Sequence, residues 1–104
     1  MKKIPSLDAT ALLKQYGLHA DKRLGQNFLQ DSSALENIAQ AAEILDSDSV
    51  LEIGPGLGSL TRHLSVRAKE VVAVELDEKL IPVLRGVLKP FTNVRLINGD
   101  ILVF

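Results

Sequence analysis

The pattern of apolar and polar positions predicts a β-α-β-α-β order over the second half of the chain. Apolar runs rich in β-branched residues predict strands at 49–53, 70–75 and 94–97, the first buried and the second covered on both faces. Apolar residues at helical spacing predict helices at about 59–66 and 78–88 between them. This order is typical of half a doubly wound α/β sheet with parallel strands in the order 3-2-1.

Two more helices are predicted before the first strand. Ser6 is a candidate N-cap for a helix at 7–16, which Gly17 would end, and this helix could dock on the domain or form a mobile arm. We therefore divide the chain into an arm at 1–21 and a binding domain at 22–104. Asp31 is the candidate N-cap of a second helix that packs on the sheet, with apolar residues at Leu35, Ile38, Ala39, Ala42 and Leu45.

A glycine turn, residues 54–58, connects the first strand to the next helix. Closely spaced glycines between a strand and a helix bring backbone N–H groups up to a ligand. The spacing is G-x-G-x-G, and the serine at 59 argues against the G-x-G-x-x-G of an NAD-dependent oxidoreductase. A tight turn without a ligand is the simpler alternative. On the helix that follows, Arg62 and His63 are predicted to face outward, and we expect no catalytic role for His63.

Acidic residues follow the second and third predicted strands. Glu75 ends the second strand about twenty residues after the glycines, where such folds place a carboxylate that accepts hydrogen bonds from ribose hydroxyls. Asp77 is better suited to cap the next helix, and Asp100 follows the third strand. Because ligands bind at the carboxyl ends of parallel strands, Gly54, Glu75 and Asp100 are predicted to lie on one rim of the sheet.

Composition and charge narrow the class of protein. The hydrophobic content of 46% suffices for a core, and 104 residues are enough for one small domain but too few for a complete doubly wound enzyme. The net charge of −1 gives no overall signature of nucleic-acid binding, although residues 1–23 carry five cations against two acids. The absence of cysteine excludes disulfides, and two distant histidines give no expectation of a metal site. With no apolar run long enough to cross a membrane, we expect a cytoplasmic protein.

Four segments together resemble the ribosomal RNA adenine dimethyltransferase family, specifically its bacterial small-subunit branch. They are KRLGQNFLQD at 22–31, VLEIGPGLGSLT at 50–61, VVAVELD at 71–77 and NGDIL at 98–102. The GQNFL sequence is the most specific, since the glycine turn alone resembles class I methyltransferases in general. The resemblance implies a Rossmann-like class I methyltransferase fold, of which this chain is the N-terminal part.

The family transfers methyl groups from S-adenosylmethionine to N6 of two adjacent adenines near the 3′ end of small-subunit ribosomal RNA. The resemblance therefore implies S-adenosylmethionine as cofactor and the small-subunit RNA, or its 30S precursor, as partner. It also implies eight cofactor-binding residues: Asn27 and Leu29 at the methionine side, Gly54 and Gly56 as a backbone wall, Glu75 at the ribose, and Leu76, Asp100 and Ile101 at the adenine.

The family's catalytic motif, N-[IL]-P-[YF], does not occur in these 104 residues. In the family, its Asn side chain and Pro carbonyl accept hydrogen bonds from the target amine, and its aromatic ring stacks on the extruded base. We expect a part of the parent enzyme that binds cofactor weakly, methylates nothing and self-associates through the first strand. The open alternatives are a large-subunit RNA adenine methyltransferase of the macrolide-resistance type and a non-catalytic RNA-binding or assembly module.

Overall fold

The computed structural model describes residues 4–19 and 31–103. Their secondary structure alternates between helices and strands after two leading helices, and short 3-10 turns flank the last α-helix and the last strand. The elements are α1 (Ala9–Gln15), α2 (Ser32–Ala41), β1 (Ser49–Ile53), α3 (Ser59–Ser65), β2 (Glu70–Glu75), a 3-10 turn (Glu78–Leu80), α4 (Ile81–Leu88), β3 (Val94–Asn98) and a 3-10 turn (Ile101–Val103).

The three strands form a parallel sheet in the order β1-β2-β3. Val50 pairs with Val71, and Val71 pairs with Val94, so β2 is the central strand. Parallel neighbours need a crossover connection, and α3 and α4 provide it, each lying between two successive strands. The predicted α/β class and strand order are confirmed.

The first strand is less buried than predicted. Leu51 is 57% exposed and Ile53 is 60% exposed, whereas Val71 and Ala73 of β2 are fully buried. In the described part of the chain, β1 pairs with β2 alone, and its Val50 side packs toward α2 and α3. Successive strand residues point to opposite faces, so Leu51 and Ile53 lie on the face that these helices leave open. Self-association through this strand stays a prediction.

Helix α1 begins two residues later than predicted, because Asp8 rather than Ser6 is its N-cap. The Asp8 carboxylate accepts a hydrogen bond from the Ala11 N–H at 3.0 Å. The shift turns Ala9 and Leu13 to the interior. They pack in the larger of the two buried clusters that the described residues form, so α1 docks on the domain. The buried members of this cluster are Ala9, Leu13, Leu57, Leu80, Ile81, Val83, Leu84 and Leu88.

Helix α2 begins at the predicted N-cap. One carboxylate oxygen of Asp31 accepts hydrogen bonds from the N–H groups of Ser33 and Ala34. Leu45, predicted to belong to the same apolar face, lies beyond the end of the helix and is 63% exposed. In the part of the chain that the structure describes, no helix has both the length and the apolarity needed to cross a membrane.

Candidate functional site

The glycine turn joins β1 to α3 at the carboxyl edge of the sheet. Gly54, Gly56 and Gly58 all have positive φ, a conformation that residues with a Cβ rarely adopt. The Gly54 N–H donates to the carbonyl of Val74 at 2.9 Å, which ties the turn to β2. At Gly58 a Cβ would lie 3.2 Å from a side-chain carbon of Leu88, so packing as well as conformation requires glycine there.

Glu75 ends β2 and lies directly against the glycine turn. Its side chain is buried, with 6% exposed. One carboxylate oxygen accepts the Gly56 N–H at 3.1 Å, and the other accepts the Asp77 N–H at 2.8 Å. Each oxygen has a second lone pair, so the carboxylate retains the capacity to accept hydrogen bonds from hydroxyl groups of a ligand.

The end of β3 extends this rim. The Asn98 side-chain amide and the Gly99 N–H each donate to the Glu75 carbonyl at 2.9 Å. Asp100 follows directly and is half-buried, and one of its carboxylate oxygens accepts the Leu102 N–H at 2.9 Å. The structure thus brings Gly54, Glu75 and Asp100 to the ends of adjacent strands, and we call these three residues the rim.

Of the remaining predicted site residues, two are described by the structure and two are not. Leu76 follows Glu75 and is 61% exposed, and Ile101 is half-buried at the start of the last 3-10 turn. Together they give the neighbourhood of the rim an apolar surface of the kind that ring-shaped ligands contact. Asn27 and Leu29 lie outside the described residues. The binding roles of all these residues stay predictions.

A cleft of about 270 Å³ opens between the glycine turn and α2. This volume is just below the roughly 300–1,000 Å³ of complete small-molecule pockets, so the cleft can hold part of a cofactor. Apart from Glu52, side chains of residues such as Leu35 and Ile38 make its wall largely apolar.

Glu52 supplies the carboxyl group of this cleft. The Thr61 hydroxyl donates a hydrogen bond to it. Burial raises the pKa of Glu52 above its ordinary value, Glu75 adds to this effect, and the hydrogen bond from Thr61 opposes it. We did not predict Glu52 as a site residue, although its position two residues before Gly54 was the available signal.

A second polar cluster lies between α2 and α3, and we call its residues, Glu36, Arg62, His63 and Arg67, the α2–α3 seam. Arg62 and His63 are 4% and 2% exposed, so the prediction that they face outward is wrong. The reason is that α3 packs against both β2 and α2, which together cover most of its surface.

Glu36 connects the two helices of the seam. One of its carboxylate oxygens lies 2.9 Å from His63 Nδ1, and the other accepts a hydrogen bond from the Arg67 guanidinium. These hydrogen bonds, first from His63 and then from Arg67, lower the pKa of Glu36 below its ordinary value. No local sequence pattern indicated this cluster, because its members come from α2, α3 and the turn that follows α3.

Comparison with known proteins gives a consistent family. Residues 17–104 match the family model for ribosomal RNA adenine dimethylases. A Leuconostoc mesenteroides protein named ribosomal RNA small subunit methyltransferase A is 51% identical over 92 residues, which make up 88% of this chain and 31% of that protein. The chain therefore spans 31% of the length of such curated relatives.

Solved structures of methyltransferases share the fold. The crystal structure of the 23S rRNA methyltransferase ErmE superposes with a TM-score of 0.71 at 41% identity, over 75% of this chain and 32% of that one. A dimethyladenosine transferase from Plasmodium falciparum superposes with a TM-score of 0.67 at 32% identity, over 75% of this chain and 29% of that one. A coclaurine N-methyltransferase solved with N-methylheliamine and SAH superposes with a TM-score of 0.61 at 26% identity, over 74% of this chain and 26% of that one. The fold is therefore that of Rossmann-like methyltransferases.

Proposed function

Because this chain belongs to the ribosomal RNA adenine dimethylase family, we propose that it forms the cofactor-binding part of an enzyme that methylates adenines of ribosomal RNA. The proposed cofactor is S-adenosylmethionine, and the proposed acceptor is N6 of two adjacent adenines near the 3′ end of small-subunit RNA. Curated relatives about 50% identical to this chain are named for the small subunit, which supports the small-subunit substrate.

The observation that carries this proposal is the buried carboxylate of Glu75 beside the glycine turn. Its free lone pairs suit the two hydroxyls of a ribose, and its contact with the Gly56 N–H fixes its position before any ligand arrives. Asp100, on the next strand end, is the proposed acceptor for the adenine amino group. Leu76 and Ile101 supply the proposed apolar surfaces for the adenine ring.

The methionine end of the cofactor is proposed to lie along the glycine turn and enter the neighbouring cleft. At Gly54 a ligand could approach the backbone closely, because nothing lies within 4 Å of the place where a Cβ would stand. Asn27 and Leu29 are proposed to contact the same end. When bound, S-adenosylmethionine supplies an electrophilic methyl group. We propose that the groups that orient the target amine belong to the N-[IL]-P-[YF] motif of the longer parent protein.

Calorimetric titration of the 104-residue chain with S-adenosylmethionine and, separately, with NAD tests this proposal. Glu75→Gln keeps the size of the side chain but directs an NH₂ group at one of two backbone N–H donors. We expect it to weaken binding of S-adenosylmethionine at least about tenfold, the equivalent of one charged hydrogen bond. Glu78→Gln, a matched change at an exposed carboxylate three residues later, should leave the affinity unchanged.

Two results would contradict the proposal. One is a preference of the folded chain for NAD. The other is a failure of S-adenosylmethionine to bind both the folded chain and the longer protein that contains it, with folding verified by circular dichroism.

A further inference from the structure

A groove of about 180 Å³ lies between α4 and β3, and we call it the α4–β3 groove. Four apolar and two cationic residues line it: Leu84, Leu88, Val94, Leu96, Arg85 and Lys89. Arg85 and Lys89 are exposed and four positions apart on α4, so both charges lie on the same side of the helix. The groove is smaller than a complete small-molecule pocket, and it therefore suits part of a ligand, such as one planar ring.

The segment that forms this groove is positively charged. Residues 81–99, which include α4 and β3, carry three cations, Arg85, Lys89 and Arg95, and no carboxylate. The rest of the chain carries thirteen acids against nine cations. The nearest acids in sequence are Glu78, in the 3-10 turn before α4, and Asp100, after the end of β3. An anionic partner is therefore attracted to the groove without repulsion from a carboxylate among its lining residues.

The outer edge of β3 adds hydrogen-bonding groups to the groove. In the described part of the chain β3 pairs with β2 alone, so its other edge is open. The Val71 N–H donates to the Asn93 carbonyl, and the Gly99 N–H donates to the Glu75 carbonyl. Because the backbone groups of a strand alternate between its two sides, the N–H and carbonyl of Leu96 are directed to the open edge. A donor and an acceptor at this place can pair with the edge of a nucleobase.

We propose that the α4–β3 groove is an RNA-binding site that takes one unpaired nucleotide. The base packs against the apolar side chains of the groove, and the phosphates on either side of it pair with Arg85 and Lys89. Proteins hold single-stranded RNA in this way, by contact with an unstacked base and by cations along the backbone.

The inference rests on the proposed function, in which ribosomal RNA is the substrate, and it adds an RNA contact outside the cofactor site. The groove shares no lining residue with the cleft or with the rim. RNA is favoured over an acidic peptide as the occupant, because the family to which the chain belongs is that of the ribosomal RNA adenine dimethylases.

Fluorescence anisotropy of a labelled oligoadenylate of about ten nucleotides, titrated with the 104-residue chain, tests the proposal. Arg85→Gln and Lys89→Gln are each expected to weaken binding about two- to fivefold. Between about 50 and 200 mM salt, each should also lower the slope of log affinity against log salt by about 0.7, the value for one phosphate contact. Lys69→Gln, which removes one charge from an exposed lysine before β2, is the matched control and should change neither quantity.

A second pair of variants tests the groove itself. Leu96→Glu and Leu96→Gln have side chains of similar size at a half-buried position and differ in charge. The glutamate variant should bind the oligoadenylate at least about fivefold more weakly than the glutamine variant, because its carboxylate repels phosphate. Circular dichroism verifies that both variants are folded. Oligoglutamate and inorganic polyphosphate should compete less well than unlabelled oligoadenylate, because neither has a base to place in the groove.

Three results would overturn the inference. One is an unchanged affinity and salt slope in Arg85→Gln and Lys89→Gln with only a lower Tm, which would leave the two cations the role of stabilising the C-terminal end of α4. Another is equal competition by oligoglutamate or polyphosphate, which would indicate a surface for any polyanion. The third is failure of the unmodified chain to bind the oligoadenylate. Titration of the same chain with S-adenosylmethionine decides separately on the proposed function.

Discussion

The cleft beside the rim and the α2–α3 seam each contain a carboxyl group, and the pKa values of the two groups shift in opposite directions. Glu52 in the cleft is paired with the hydroxyl of Thr61, and burial raises its pKa. Glu36 in the seam accepts hydrogen bonds from His63 and Arg67, which lower its pKa. Both regions lie between α2 and the segment that runs from the glycine turn through α3.

The two pKa shifts differ because the carboxyl groups have different hydrogen-bond partners. Glu75 in the rim accepts hydrogen bonds from backbone N–H groups and Glu52 in the cleft accepts one from the Thr61 hydroxyl; no cation among the described residues pairs with either carboxyl group. Such a site suits a ligand that brings hydroxyl, amino or sulfonium groups. In the seam, the Arg67 guanidinium pairs with the Glu36 carboxylate, and the contact between His63 and Glu36 joins α3 to α2. In the proposed function the rim binds a ligand, whereas the hydrogen bonds of the seam hold parts of the fold together.

The largest expected loss of stability follows from a substitution in the glycine turn. Gly58→Ala puts a Cβ at φ +82°, 3.2 Å from Leu88 and 3.3 Å from Leu84. Left-handed strain of about 1–2 kcal/mol and overpacking of about 1–3 kcal/mol together predict a loss of about 2–5 kcal/mol in the free energy of unfolding. Urea denaturation followed by circular dichroism measures this loss.

Gly54→Ala is the matched control for this substitution. Its φ of +72° imposes similar strain, but nothing lies within 4 Å of the added Cβ. The expected loss is therefore about 1–2 kcal/mol. Equal losses at the two positions would show that Leu84 and Leu88 accommodate the Cβ added at position 58 without cost.

Most of the rim could be predicted from sequence because its parts are local. The apolar run up to Ile53, the glycines after it and the strand that ends at Glu75 each follow from short-range pattern. Parallel order then places them at one edge of the sheet. The exposure of β1 could not be predicted in this way, because an apolar run does not reveal whether a second layer covers it.

The seam could not be predicted because its contacts join distant positions. His63 meets Glu36 across 27 residues, and Arg62 meets Pro5 across 57. On a seven-residue helix, a charged residue looks solvent-facing unless the neighbours that cover it are known. Helical periodicity assigns one buried face to a helix, whereas α3 is covered by a sheet and by a second helix.

A smaller change in stability, one that depends on pH, is expected when Glu52 is replaced. A carboxyl whose folded pKa is raised contributes stability below its unfolded pKa of 4.5, and this contribution is lost as pH rises through the folded pKa. Glu52→Gln stays neutral and can still accept the hydrogen bond from Thr61. We expect Tm of the variant to exceed that of the unmodified chain at pH 7 and to approach it below pH 4.5. A Glu52→Gln variant that is less stable than the unmodified chain at pH 7 would contradict the raised pKa of Glu52.

The smallest expected change in Tm is that of Glu36→Gln, and its sign is opposite to that of Glu52→Gln. Its folded pKa is lowered, so its contribution is present above the unfolded value of 4.5 and is lost as pH falls through the folded pKa. Glu36→Gln should therefore lower Tm at pH 7, and the difference from the unmodified chain should shrink on acidification below pH 4.5. Its side chain is 38% exposed, so solvent screening keeps the effect small. If the two carboxyl variants changed Tm in parallel across this pH series, the electrostatic contrast between cleft and seam would be wrong.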